Sequence, residues 1–276
     1  MNRSLRLTLP WRLAAFSALM LTSAWAQALV FAINEGVTYR VSNDEIRSRY
    51  AAIAADLSKL LKQPVTLEPI GHYPTLRQGL ADKAYDIALV HPAHLSITAM
   101  KNSGYHLVAV AKGFEKYQAN FLVRADSPLK SLADLKGKRL GAPDEDSITS
   151  WMVRATLRDA KVDNKSLEMT YTRYQDAVPF FVENHLTHVG ATAANSVIKE
   201  WQAKGGKVLA QSKTVPIKHV IAGASISPEQ VLALREYFTT LDASEEGRKK
   251  LEPSKLRGFA TYDEAAMMAL GQWLGI

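Results

Sequence analysis

A chain of 276 residues without a single cysteine cannot rest on a disulfide scaffold, a thiolate metal site or a cysteine nucleophile, and at this size a hydrophobic core can hold the fold by packing alone. The net charge of +7 comes from 34 Lys and Arg against 27 Asp and Glu, scattered along the chain with no stripe of basic and aromatic residues. That distribution speaks against nucleic acid as a partner, while a mild positive excess helps to steer small anions toward the surface.

The first residues carry Arg3, Arg6 and Arg12 with no acid, then an apolar run from Leu13 to Leu21, then Ala26-Gln27-Ala28. Charge, apolar run and small residues in that order predict a secretory signal peptide over residues 1–28, cleaved after Ala28. The apolar run is too short for a comfortable membrane span. With no Cys after the signal to carry a lipid anchor, a soluble protein exported to the periplasm is expected. Cleavage would leave 248 residues and, with three arginines gone, lower the net charge to +4.

From Leu29 short apolar strands alternate with amphipathic helical stretches, which predicts an α/β fold with largely parallel sheets. Strands are expected at Leu29–Asn34, Val65–Ile70, Asp86–Val90 and His106–Ala111. Between them come helices at Asn43–Leu61, Pro74–Lys83 and Pro92–Asn102, the first with Ile46, Tyr50, Ile53, Leu57, Leu60 and Leu61 on one face.

A second set repeats the grammar. Strands fit Asn120–Arg124, Lys138–Ala142, Glu168–Tyr171, His188–Ala193 and Lys207–Gln211, with helices at Thr149–Ala160, Gln175–Asn184 and Asn195–Lys204. One more strand, His219–Ala224, is followed by helices Pro228–Leu241, Ser244–Leu251 and Tyr262–Trp273 with no further strand. Those helices need a sheet to cover, so the economical arrangement is two lobes. Residues 29–114 and 219–276 form lobe 1 and residues 115–218 form lobe 2, with crossovers near 114–118 and 215–218 and a ligand cleft between them.

The most telling stretch is Ser131 to Ser150, which reads as strand, polar loop and helix start. A helix N-terminus offers unpaired N–H groups and the positive end of the dipole, and Ser147, Thr149 and Ser150 add hydroxyls there. This suits an oxyanion, although Ser and Thr at a helix start also serve as plain caps. Asp144, Glu145 and Asp146 read as residues that favour the helix dipole; turned to the cleft, they would repel an anion. Tyr73 stands before Pro74 at a strand-to-helix turn, where a side chain can face the cleft or pack on its own lobe. His91 and His94 flank Pro92 at a strand end and could both meet a polar ligand. That pair and His185/His188 lack the further ligands of a metal site, so neither a metal nor a cofactor is predicted.

Asp86-Ile-Ala-Leu-Val-His-Pro-Ala-His94, Asn120 to Pro128, Ser131-Leu-Ala-Asp-Leu-Lys-Gly-Lys138 and Asp144 to Ser150 together resemble the periplasmic phosphate, phosphite and phosphonate-binding proteins of ABC importers. The resemblance spans nearly the whole mature chain and implies a type II periplasmic binding protein fold: two α/β lobes, a hinge and an interlobe ligand cleft. It implies ligand contacts from Tyr73, from the groups after the Asp86-Ile-Ala strand, and from Ser147, Thr149 and Ser150, the last three at the family's Ser-Thr-Ser-Gly helix start. The chain departs from that pattern at three places. Ile148 replaces a Thr, Tyr174 stands where a His followed by an acid is usual, and Gly190 falls where a strand Asp often faces the cleft. Tyr174 could donate its hydroxyl to an anion in place of the imidazole.

The reading that follows is a non-enzymatic receptor. It would capture a small anionic ligand such as phosphonate, phosphite or phosphate, close by hinge motion as a monomer and deliver the ligand to an ABC permease. The same fold could take a different organic ligand or report to a membrane kinase as a sensory adaptor. An enzyme like the pyrimidine-forming proteins of thiamin synthesis would need a reactive His or metal shell. No Gly-x-Ser-x-Gly elbow, phosphate loop or His-Glu-x-x-His motif calls for chemistry.

Overall fold

The computed structural model describes residues 27–36 and 41–276. The expected signal peptide therefore lies outside the described residues, except for Gln27 and Ala28. The chain opens with β1 (Leu29–Asn34), α1 (Asn43–Leu61), β2 (Val65–Pro69), α2 (Tyr73–Ala81), β3 (Ile87–Val90), α3 (Ala93–Ser103) and β4 (His106–Ala111). It continues with β5 (Asn120–Val123), β6 (Arg139–Pro143), α4 (Ile148–Asp159), β7 (Glu168–Thr172), α5 (Val178–Glu183), β8 (Val189–Thr192), α6 (Asn195–Ala203) and β9 (Lys207–Gln211). It returns with β10 (His219–Ala222), α7 (Pro228–Thr240), α8 (Glu245–Leu251), β11 (Phe259–Ala260) and α9 (Glu264–Leu274).

Two sheets result, a six-stranded one in the order β11-β4-β10-β3-β1-β2 and a five-stranded one in the order β7-β6-β8-β5-β9. The sheets are largely parallel, as expected, in that β1–β4 share one direction and β6–β9 share one; β5, β10 and β11 run against them. β1 is parallel to β2 and β3, and β6 to β7 and β8, but β10 runs antiparallel to β3 and β4, and β5 antiparallel to β8 and β9. The cause is topological: β5 and β10 are the strands that enter each sheet directly from a crossing, without the helical return that makes neighbours parallel. β11 corrects one expectation, that no strand follows β10. Its two residues pair antiparallel with β4 and are too few to show a periodicity. A second correction concerns the helix expected over Gln175–Asn184, which is a 3-10 turn, Gln175–Ala177, followed by α5 with Pro179 in its first turn.

Local sequence explains the elements that carry the cleft. In α1, Ile46, Tyr50, Ile53, Leu57 and Leu61 form a buried stripe at helical spacing. Ser42 caps its start by accepting from Glu45 N, and Lys62 ends it in the left-handed conformation at φ 55°. That stripe packs on one face of the first sheet with α7, while α2, α3 and α9 cover the other face. The latter core runs without a break into the second lobe, joining Leu95 and Ile97 to Ile148, Met152 and Val153 of α4.

The chain passes between the sheets through residues 112–119 and 212–218, and these passages pair once. Tyr117 N donates to Val215 O at 3.2 Å and Val215 N to Tyr117 O at 2.9 Å. The last helix ties the lobes a further time, since α9 packs on α3 and α4. Trp273 Nε1 donates to Asp159 Oδ2 at 2.8 Å, and Arg158 donates to the Trp273 carbonyl. Among the described residues no helix is long and apolar enough to cross a membrane.

Candidate functional site

The start of α2, at the carboxyl edge of the first sheet, faces the loop before α4 and the end of β7 in the second lobe. Between them lies a cavity of about 570 Å³ lined by His72, Tyr73 and Pro74 on one side and by Asp144–Asp146 and Tyr171–Arg173 on the other. Arg77 of α2 reaches across its mouth to Asp146 at 3.0 Å. Such clefts at strand ends are where open α/β sheets hold ligands.

The helix start predicted at Ser147 is present. Ser147 is the cap of α4; its Oγ accepts from Ser150 N at 3.2 Å, and Ser150 Oγ donates to Pro143 O at 3.0 Å. Thr149 Oγ1 lies 3.0 Å from the Tyr117 hydroxyl. All three residues are buried and hydrogen-bonded within the protein, so capping accounts for part of their sequence pattern. The loop acids serve the same turn, as Asp146 N donates to Asp144 Oδ1 at 2.9 Å, and they also line the cavity.

Tyr73, His91 and His94 all sit buried at the cleft edge of the first lobe. His94 stacks on Trp151 of α4 across the lobe boundary, with ring centres 5.0 Å apart and planes at 19°, and Tyr73 stands edge-on to it at 6.4 Å. Arg154 covers the Trp151 ring at 4.9 Å. Burial, reinforced by the positive charges of Arg77 and Arg154, lowers the His94 pKa to about 3, so its imidazole is neutral. Burial also holds His91 well below the usual range, and Lys218 adds to the effect. The His91 ring packs against Gly36, where a Cβ would come within 2.7 Å of it; Gly36 has φ +94°, so the position is closed to other residues twice over.

Tyr174 begins the turn before α5, with the Arg173 guanidinium 5.7 Å from its ring centre. The residue after it is the one most tightly built in. Gln175 Nε2 donates to the Tyr117 hydroxyl at 2.5 Å, and Gln175 Oε1 accepts from Thr192 Oγ1 at 2.9 Å and from Ala193 N at 2.6 Å. Ile148 is buried in the core. Gly190 faces α5: a Cβ there would lie 2.7 Å from both Val178 Cγ1 and Val182 Cγ2.

Sequence reasoning passed over Arg77, Tyr117, Trp151, Gln175, Thr192 and Lys218. Gln175 could have been suspected from its place beside Tyr174. The others carry no local signal, because long-range packing brings them together. Among the described residues no group of three or more His, Asp or Glu side chains could hold a metal ion.

A family model described as the periplasmic substrate-binding protein of phosphonate ABC transporters matches residues 36–267. Solved structures share the fold at low identity. PhnD1 of Prochlorococcus marinus, in complex with methylphosphonate, is 16% identical with a TM-score of 0.67, covering 90% of this chain and 97% of its own. XAC2383 of Xanthomonas citri, bound to ATP, is 14% identical with a TM-score of 0.74 over 90% of this chain and 97% of its own. The binding component PA3383 of a Pseudomonas aeruginosa phosphonate transporter is 19% identical with a TM-score of 0.63, covering 89% and 85%. No curated protein matches the chain in sequence.

Proposed function

We propose that this chain, which belongs to the family of periplasmic substrate-binding proteins of phosphonate ABC transporters, captures a small phosphorus oxyanion between its lobes and hands it to an ABC permease. The family binds its substrate and does not transform it, so the geometry has to supply only recognition and closure. We place the hinge at the paired passages near residues 114–118 and 215–218, with lobe 1 as residues 29–114 and 219–276 and lobe 2 as residues 115–218. Export by the segment 1–28 and action as a monomer belong to the same reading.

The observation that carries it is the meeting of two helix starts at one cavity. α2 begins after His72, which gives no side-chain cap, and α4 begins at Ser147; His72–Pro74 and Asp144–Asp146 line the cavity from opposite lobes. Tyr73, His91, His94, Ser147, Thr149, Ser150 and Tyr174 are the proposed ligand contacts. Opening the lobes would uncover the His94–Trp151 stack, which ties His94 to the hinge motion.

Asp144 and Glu145 on the cavity wall favour a second reading, an organic ligand that carries a positive group. Thermal unfolding of the purified protein against phosphate, phosphite, methylphosphonate, 2-aminoethylphosphonate, sulfate and a set of organic amines separates the two. At 100 times its dissociation constant a ligand adds about 2.7 kcal/mol, a shift on the order of 5–10 °C. A shift with phosphorus oxyanions that Ser147→Ala abolishes supports the first reading. A shift with amines alone supports the second.

A further inference from the structure

Lys218 is a buried cation that no described acid neutralises at close range. It lies at the end of the second passage between the lobes, 8% exposed, just ahead of β10. His219 pairs with Val90 in antiparallel register, so Lys218 stands alongside His91 at the carboxyl end of β3. Asn34 pairs with Val90 from the other side, which sets Glu35 at the same level. Glu35, His91 and Lys218 thus form a row on the cleft edge of the first sheet.

Glu35 is already engaged. Its carboxylate accepts from Arg49 at 2.6 Å and from the Tyr50 hydroxyl at 2.7 Å. The Lys218 ammonium forms no hydrogen bond or ion pair among the described residues; its close contact is the ring of Phe114, 4.5 Å away. Burial lowers its pKa, against the attraction of the more distant Glu35, and Arg49 adds to the lowering. A buried charge without a hydrogen-bonded partner is costly, and a structural role would be filled better by an apolar residue.

Resting on the reading of the cleft as an oxyanion site, we infer that Lys218 supplies the ligand's counter-charge: its ammonium binds the oxyanion from the second passage, at the edge of the first sheet, while the α4 start binds it from the second lobe. The assignment explains how a cleft with acids at its mouth attracts an anion at all. Asp144 and Glu145 line the outer cavity, whereas Lys218 stands at the passage beside Phe114, and Tyr117 of the partner passage reaches Thr149.

The test is calorimetric titration of the wild type, Lys218→Met and Lys218→Arg with methylphosphonate, phosphate and sulfate, together with the melting temperature of each protein without anion. Lys218→Met is expected to weaken oxyanion binding tenfold or more, Lys218→Arg to retain part of it, and the anion-free Met variant to melt at or above the wild-type temperature. Equal affinity in Lys218→Met overturns the assignment and leaves the receptor reading intact. A Met variant that fails to fold or melts well below wild type makes Lys218 a structural partner of Glu35, which also overturns it. A wild type that binds none of the three anions defeats the oxyanion reading and this inference with it.

Discussion

Arg77 and Asp146 belong to different lobes and meet at 3.0 Å over the mouth of the cleft. Both side chains are partly exposed, at 44% and 37%, so the pair acts as a light clasp. Exposed pairs of this kind contribute about 0.2–1 kcal/mol, and salt screens them. Asp146→Asn and Arg77→Ala should each weaken ligand binding by roughly two- to fivefold at low salt, with the difference from wild type shrinking as salt rises. Titration at two ionic strengths checks this. A tenfold loss that ignores salt would instead make one of the two a direct ligand contact.

Gln175 holds three elements at once, reaching Tyr117 in the passage, Thr192 at the end of β8 and Ala193 N beyond it. Gln175→Leu keeps much of the volume but takes the amide's bonds from Thr192 Oγ1 and Ala193 N, while the Tyr117 hydroxyl keeps its bond to Thr149. Each buried group so exposed costs about 1–3 kcal/mol. The variant should therefore lose on the order of 2–4 kcal/mol in urea unfolding if Thr192 Oγ1 and Ala193 N are not rehydrated. Unchanged stability would show that the network is open to water.

Most of the strand and helix order was legible because each element has a buried face at the right period: α1 shows it over 19 residues. The Ser147 helix start was legible because capping chemistry is local. What escaped the sequence depends on partners far along the chain. Trp151 matters because His94, from the other lobe, stacks on it, and Lys218 matters because strand register sets it beside His91. The antiparallel entries of β5 and β10 escaped for a related reason, since strand direction is decided by the path of the passages and not by side-chain period.

Acid should destabilise the fold through its buried histidines. His219 is enclosed, with Nε2 donating to Pro216 O at 3.0 Å and Nδ1 2.5 Å from Ser96 Oγ, and burial lowers its pKa to about 4. His94 falls to about 3, and His91 is lowered too. In the unfolded chain a histidine titrates near ~6.5, so below that pH the unfolded state binds more protons than the folded one. Their stabilising effect is thus complete above pH ~6.5 and lost progressively as pH falls toward the folded values, on the order of 3 kcal/mol for His219 alone. Urea midpoints at pH 8, 6.5 and 5 should stay level across the first step and drop across the second. His219→Gln should flatten the drop; a midpoint that rises on acidification contradicts the argument.

Gly190 bears on specificity through what it cannot become. Related proteins are expected to carry a carboxylate near this strand position, and its loss reads as the loss of a ligand contact. Here the missing Cβ points at α5, within 2.7 Å of Val178 Cγ1 and Val182 Cγ2, in a region where both valines are fully buried. Overpacking of such a site costs about 1–3 kcal/mol, and a buried carboxylate without a partner costs more. Gly190→Ala should therefore lower the melting temperature by several degrees with ligand affinity unchanged, while Gly190→Asp should fold poorly and gain no affinity for amine-bearing phosphonates. A stable Gly190→Asp protein that acquires such binding would mean that β8 can turn this position toward the cleft. Shortening the facing side chain offers the complementary check: Val182→Ala should recover part of the stability lost in Gly190→Ala, because it returns the space that the new methyl group takes.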